Sequence, residues 1–550
     1  MPTIAFTLDD LNKLVGKNLT IPEITSLLEY GKGELESYDE ETDTITISLD
    51  DTNLPYLWSP EGIARLFKNV LGLQKGIPKI DVYDSDYSVI VDKSVHKIRP
   101  FIASFVAKGI PLTDYIIKQF VQIQEKLCEN YGRRRQQVSI GLYNYKRIKF
   151  PIHYKAVHPD AVKFTPLEMT EELTLRQILK KHPTGREYAW IIEDFDRYPI
   201  LMDDKNEVLS LPPIINSNTL GKIEIGDTDL FFEVTGTNEE SVNLAAVIYA
   251  YALHDRGVKI YSAKIKYPTR SFNAPVISED NMEITPAVFE RLIGISIKEP
   301  ELKKLLEKAG YDFSKNKATI PAYRQDILHP FDIVEDAAIM YGYDKMQGLP
   351  MKSYTIGKLN PITRFVDLCR ELSIGFGYQE VFGHVLSNKN LLYEKMNMKD
   401  TGTVEIEKYM SETYSVMRSW LIPGLMEVLS KNTNVSYPQR IFEQGAVAVR
   451  KGDSISEYER IAFTSCHQDA NFTEMKQLLD AFMKLLGIKY EIHEVEHDSF
   501  IKGRVGRIII NNKGIGYIGE MHPIVLDNFN LSLPVAGLEL NLSEVFDSMN

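Results

Sequence analysis

The sequence predicts an α+β chain of several domains, and three observations carry that reading. Its 550 residues are too many for one hydrophobic core, which points to three or four domains. Apolar residues recur with a helical period in some stretches and with a period of two in others, alternating along the chain. No repeat of about 20–50 residues is present, so the alternation does not describe a solenoid.

Residues 1–89 read as an N-terminal α/β module. LDDLNKLV and IPEITSLLEY have helical spacing, and TDTITISL alternates like a strand. In NLPYLWSPEGIARLF a helix starts at Ser59-Pro60, where Ser is a good cap and Pro suits the first turn. Residues 90–268 form a strand-rich domain. SVIVD, RPFIASFVA, VSIGLYN, EYAWIIED and DLFFEVTG read as strands, with helices over LTDYIIKQFVQIQEKLCENYG and SVNLAAVIYAYALHDRG. SLPPIINSN, with its prolines and asparagines, is expected to be a fixed loop and not a strand centre. Residues 269–347 look like a small α+β module whose helices, PAVFERLIG and EPELKKLLEKAGYDF, each meet a Gly stop. Residues 348–550 mix two helices, PITRFVDLCRELSIGFG and FTEMKQLLDAFMKLLG, with antiparallel-type strands such as QRIFEQGAVAVR, YERIAFTSC, GRVGRIIINN and AGLELNL.

Composition narrows the function. The opening MPTIAFTLDDLNKL lacks the basic start and apolar run of a secretory signal. The longest apolar stretch, VNLAAVIYAYAL, is too short for a bilayer and reads as a buried helix. Three scattered cysteines suit a reducing cytoplasm and argue against a Cys-based zinc site or disulfide framework. A net charge of −13 disfavours a protein that coats nucleic acid. Residues 126–150 nevertheless hold seven Lys or Arg against one Glu. Arg133, Arg134 and Arg135 there are either a phosphate contact for RNA or a solvated charged face.

Two motifs are decoys. KGIGYIGE fits G-x-G-x-x-G, but that dinucleotide fingerprint needs a helix directly after it, and here another strand follows. The glycines are expected in a hairpin turn between RIIINN and GYIG. HEVEH fits H-x-x-E-H, which binds zinc only on a helix. KYEIHEVEHDSF alternates with period two, placing His493 and His497 about 13 Å apart on a strand.

The stretch RQDILHPFDIVED is harder to place. Asp326, Asp332, Glu335 and Asp336 fall within eleven residues, and on a helix starting near Phe331 the last three share one face. Carboxylates in a first turn are favoured by the helix dipole, which explains them without a ligand. The alternative is a hard-cation site of the kind Mg²⁺ prefers, with a cationic partner or shared ligation to balance four charges. A two-metal nuclease is a further reading of clustered carboxylates.

R-x-D-(x5)-D-x-x-E-D followed by YGYD resembles the phenylalanyl-tRNA synthetase β-subunit family, in the short form of archaea and the eukaryotic cytosol. DTNLPYLWSPEGIAR and RPFIASFVAKGI resemble its N-terminal part; VSIGLYN, HPTGREYAWII, SLPPIINSN and FFEVTGTN its editing domain; and QRIFEQG and GYIGEMHPIVLDNFNLSLPVAGLEL its C-terminal domain. The resemblance implies that Asp326, Asp332, Glu335 and Asp336 are Mg²⁺ positions, at a structural site completed with an α subunit. It implies a heterotetramer of two α and two β chains in the cytoplasm, using ATP, phenylalanine and tRNA(Phe), with aminoacylation on α. The C-terminal domain is then a class II synthetase-like antiparallel sheet with helices, degenerate as a catalyst. Arg440 and Glu443 echo motif two, and AGLELNLSEVF has no motif-three Arg.

An apolar pocket for phenylalanine discriminates only weakly against an added hydroxyl, by about 10²-fold, so tyrosine is mischarged. By resemblance, residues 90–268 hold an editing pocket of Leu201, Ser210, Glu233 and Thr235 that hydrolyses the mischarged ester. Glu233 would accept the tyrosine hydroxyl, Ser210 and Thr235 would position ester and water, and Leu201 would be an apolar wall. Two positions depart from the family pattern: Glu233, where archaeal members carry Asp, and Asn144, where Asp is usual. A stand-alone trans-editing hydrolase and a tRNA-binding scaffold without editing are the alternatives.

Overall fold

A computed structural model describes residues 2–49, 51, 53–110 and 112–549, so Thr52 of the DTNLPYLWSPEGIAR motif lies outside the described residues. The chain divides into two compact units, residues 1–349 and 350–550.

In the first unit the N-terminal helices start at side-chain caps, the one at Pro60 where Ser59 predicts it. The Thr7 side chain accepts from Asp10 N–H ahead of Leu8–Val15, and Ser59 Oγ accepts from Gly62 N–H at 3.1 Å ahead of Pro60–Val70. They pack beside a small antiparallel sheet of Thr3–Thr7, Thr44–Leu49 and Gly33–Asp39. Among the described residues, eleven strands join in one larger sheet. Its main path runs Ile215–Asn216, Val208–Leu211, Tyr198–Met202, Ile152–Val157, Ser88–Val91, Lys259–Lys266, Phe101–Lys108, Asp229–Gly236, Val138–Asn144. The two ends of this path approach each other, because Asn216 Nδ2 donates to Leu142 O at 3.3 Å. The long helix Glu239–Asp255 covers the Phe101–Lys108 and Asp229–Gly236 strands and is buried on nearly every side, as its unbroken apolar run predicts.

Two sequence boundaries move. The division at 89/90 cuts the strand Ser88–Val91, which pairs with both Lys259–Lys266 and Ile152–Val157. That at 268/269 separates Lys259–Lys266 from its hairpin partner Ser271–Ala274. The N-terminal helices and the large sheet also share one continuous apolar core, from Ile4 and Phe67 to Phe105 and Tyr249. EYAWIIED is a further correction: Pro183–Tyr188 is helical and a 3₁₀ turn follows over Ala189–Ile191. Pro183 pre-sets the first helical turn, and Tyr188 and Ile192, four apart, are buried while Trp190 between them is exposed. SLPPIINSN contributes strand residues at both ends, with Leu211 paired to Ile215.

Strands Asp280–Glu283, Lys317–Ile320 and Asp312–Ser314 make a third sheet, packed with helices Pro286–Ile293, Glu299–Lys308 and Pro330–Tyr341 around Ile284, Phe289, Leu306 and Ile333.

The second unit is built on a seven-stranded sheet in the order Gln379–Glu380, Gln439–Lys451, Ser454–Cys466, Val535–Asn541, Lys513–Met521, Phe500–Ile510, Glu491–Glu494. Only its first pair is parallel. Period-two alternation sends Ile461 and Phe463 to the core under helices Pro361–Gly375 and Phe472–Leu486, and Ala462 to the core under helix Ile422–Lys431. The glycines of KGIGYIGE are not in the turn. Asn511 and Asn512, at φ of 48° and 63°, make it, because a two-residue hairpin loop needs φ > 0 at both positions and Asn tolerates that. The glycines lie within Lys513–Met521. His493 is on a strand, and His497 lies beyond the strand's end, against the Tyr517 ring.

Candidate functional site

The acidic cluster divides into two pairs. Arg324 grips Asp326 with both arms, Nε to Oδ1 at 2.7 Å and Nη2 to Oδ2 at 2.5 Å, and Nη2 also reaches Asp336 Oδ2 at 2.9 Å. The Tyr311 hydroxyl donates to Asp336, and the rings of Tyr56 and Tyr311 flank the guanidinium at 5.3 and 5.7 Å. Burial pushes the Asp336 carboxyl up against the opposing pull of Arg324. The other pair is turned outward. Asp332 accepts from Leu328 and His329 N–H at 2.8 and 2.7 Å, capping the helix, and Glu335 accepts from Lys32 Nζ at 2.8 Å. Among the described residues no group of three or more His, Cys, Asp or Glu is placed to hold a metal. The four carboxylates expected to gather around one ion therefore do not fit a cation cage within this chain. A buried guanidinium occupies the place between two of them, and the other two are engaged by the helix cap and by Lys32.

The second candidate is a cavity of about 600 Å³ where the ends of the large sheet meet. Glu233 stands mid-strand, opposite Gly141 and Ser104, and is 2% exposed. Tyr143 reaches over Gly141, its hydroxyl 2.9 Å from Glu233 Oε1 and 2.8 Å from Ser210 Oγ. A Cβ at residue 141 would collide with both the Tyr143 hydroxyl and Glu233 Oε1, so this crossing requires glycine. The second carboxylate oxygen, Glu233 Oε2, is buried without a hydrogen-bond partner. Burial raises the Glu233 carboxyl to about 7, opposed by the Tyr143 hydrogen bond and Arg99. Cys128 also lines the cavity, but burial pushes its thiol up to about 12, so it is no thiolate nucleophile.

Of the four residues expected in the pocket, Glu233 and Ser210 line the cavity. Leu201 pairs with Ser210 across the strands but is sealed in the main core. The Thr235 hydroxyl is bonded to Arg99 Nε at 3.0 Å and Ser139 Oγ at 3.1 Å and is not among the residues lining the cavity. Arg99 is buried and satisfied entirely by oxygens, including the backbone of Arg135, Gln136 and Thr235. Sequence reasoning missed Tyr143, Gly141 and Arg99. The signal for the first two was present, since period two puts Tyr143, Gly141 and Ser139 on one side of VSIGLYN. Asn144, on the other side, binds Asp227 Oδ1 at 2.6 Å and caps Lys146 N–H, a turn-holding role away from the cavity.

The arginine run separates too. Arg133 and Arg134 are exposed, whereas Arg135 lines the cavity, stacks on Tyr188 at 4.2 Å and donates to Ile214 O at 3.0 Å, fixing the loop after Pro213. In the second unit Arg440 binds Glu474 at 3.0 Å, while Glu443 is buried against Arg418; the two stand on opposite faces of the sheet and do not act together.

Comparison with known proteins agrees with this architecture. Residues 282–343 match the family model of the tRNA synthetase B5 domain, and residues 347–542 that of the phenylalanyl tRNA synthetase beta chain CLM domain. The phenylalanine–tRNA ligase beta subunit of Pyrococcus horikoshii is 40% identical over 99% of this chain and 100% of its own length. That of Borreliella burgdorferi is 36% identical over 96% of this chain and 97% of its own. The crystal structure of an N-terminal fragment of the phenylalanyl-tRNA synthetase beta-subunit from Pyrococcus horikoshii matches with a TM-score of 0.60 at 39% identity, covering 62% of this chain and 100% of the fragment. With similarity running through both units from end to end, the chain belongs to the phenylalanine–tRNA ligase β-subunit family.

Proposed function

We propose that this chain works with an α subunit, in a complex of two α and two β chains, to charge tRNA(Phe), and that it hydrolyses tyrosine mischarged onto that tRNA. Charging, with ATP and Mg²⁺, belongs to α in this reading. Editing belongs to the cavity between the Glu233 and Ser210 strands. The observation that carries it is the unpaired, buried Oε2 of Glu233. A tyrosine side chain entering the cavity supplies the missing donor from its phenol. Phenylalanine fills the same space and leaves that oxygen unpaired, at a cost of about 1–3 kcal/mol. With the ring so held, water attacks the ester carbonyl carbon, the bond to the terminal ribose breaks, and the ribose hydroxyl leaves carrying a proton. Ser210 stands beside the ring, and Tyr143 keeps Glu233 aimed by holding Oε1.

The outward carboxylates Asp332 and Glu335 are the part of the acidic cluster available to a neighbouring chain. In this proposal any Mg²⁺ there takes most of its ligands from α. Arg133 and Arg134 are the members of the arginine run free to meet tRNA phosphates.

The test is hydrolysis of tyrosyl-tRNA(Phe) by the αβ complex, native against Glu233→Ala. Hydrolysis in the native complex, slowed by about tenfold or more in the variant, supports the reading; one hydrogen bond to a charged group carries that weight. Equal rates remove Glu233 from the site. No hydrolysis by the native complex leaves the chain as scaffold and tRNA binder.

A further inference from the structure

The G-x-G of KGIGYIGE, set within the strand Lys513–Met521, lines a cavity of about 260 Å³ in the second unit. This is just below the usual range of about 300–1,000 Å³ for ligand pockets, a size for a molecule with one ring. Its floor is the sheet. A Cβ on Gly514 would collide with the Arg507 guanidinium, and one on Gly516 with the Glu539 carbonyl, so the two glycines let these groups close up into a flat wall. Arg507 lies 4.1 Å over the Tyr517 ring and donates to Gly514 O at 2.5 Å. His497 packs edge-on against Tyr517 at 4.8 Å and faces Trp420 at 6.0 Å, completing an aromatic corner. Burial lowers the His497 pKa to about 4, so its imidazole is uncharged at neutral pH and the Arg507 guanidinium on Tyr517 is the cation of the corner.

Two charged groups of opposite sign in this cavity keep hydrogen-bonding capacity unused. Arg460 spends Nη1 on Glu539 at 2.9 Å, but its Nε–H is buried with no acceptor. The other oxygen of the Glu539 carboxylate accepts from Leu421 and Ile422 N–H at 2.9 and 3.1 Å. The half-buried Glu544 carboxylate also lines the cavity; it accepts no side-chain hydrogen bond among the described residues, and the cation that feels its charge is the exposed Lys451 ammonium.

We infer that this cavity binds a small zwitterion with a flat apolar body, an aromatic amino acid. Its carboxylate meets Arg460 Nε–H, its ammonium meets Glu544, and its ring lies in the corner of Trp420, His497 and Tyr517. The site is separate from the editing cavity and does not rest on the editing reading.

The test uses the whole complex, with its synthetic site first saturated by a non-reacting analogue of phenylalanyl-adenylate, and follows labelled phenylalanine by equilibrium dialysis. One further equivalent per copy of this chain is expected. Its affinity falls by about tenfold or more in Arg460→Met and in Glu544→Gln, the weight of one charged hydrogen bond. Phenylpropionate, without the ammonium, and phenethylamine, without the carboxylate, compete at least as much more weakly. In Glu233→Ala the further equivalent is unchanged. Absence of that equivalent, or its survival in Glu544→Gln, overturns the inference. Glu544 carries no structural bond through its carboxylate, so its variant gives the answer even where Arg460→Met fails to fold.

Discussion

A carboxyl group buried as deeply as Glu233 is squeezed toward its neutral form, and that has a consequence for stability. Its pKa rises from the ordinary 4.5 to about 7 in the folded chain, so between those values the folded state holds a proton that the unfolded state has released. Stability from this group is therefore complete below pH 4.5, falls as pH rises, and levels off above about 7. Glu233→Gln keeps the shape and cannot ionise. It is expected to leave urea stability unchanged at pH 4.5 and to raise it at pH 8, by up to about 3 kcal/mol at about 1.4 kcal/mol per pKa unit. Equal gains at the two pH values would place the carboxylate in contact with water. The same residue shows what a strand pattern leaves open: Glu233 reads as a possible outward-facing residue, and only the return of Ser210 from the far end of the sheet buries it.

The helix Pro330–Tyr341 is held at its N-terminal end by Asp332 and at its side by Arg324, whose side chain is 5% exposed. Removing the guanidinium leaves Asp326 and Asp336 facing each other unpaired. Arg324→Leu is expected to destabilise the chain by about 3–5 kcal/mol, the cost of orphaning buried charge, read as a lower urea midpoint. Stripping Mg²⁺ with EDTA is expected to leave the native midpoint of the isolated chain where it was, because Arg324 already neutralises the buried pair. A native midpoint that drops with EDTA would show that a metal, not the arginine, holds this helix. The spacing of the carboxylates was legible in the sequence, and so was their place on a first turn. Their partners were not. Tyr311 and Lys32 reach Asp336 and Glu335 from elements 25 and 303 residues away, separations that no local pattern carries.

At the scale of the molecule, the division at residue 349 makes a direct claim. Residues 1–349 contain the large sheet, the Glu233 cavity and the Arg324 network, each closed by contacts within that span. A chain ending at Leu349 is expected to melt cooperatively by circular dichroism, with the Glu233→Gln pH effect intact; a broad, non-cooperative melt would show that the second unit is needed to complete the core. The crystallised fragment of the Pyrococcus horikoshii relative, covering 62% of this chain, makes such a truncation reasonable. By itself the sequence determined the α+β class, most helices and strands, the capped start at Ser59, and the family, because periodicity, caps and motif order are local properties. Only the tertiary structure decided that Thr235 serves Arg99, that Tyr143 bridges Glu233 and Ser210, and that two carboxylates of the acidic cluster flank a guanidinium. Each of those depends on which distant side chain arrives to satisfy a buried polar group, and that is settled by how the sheet closes on itself.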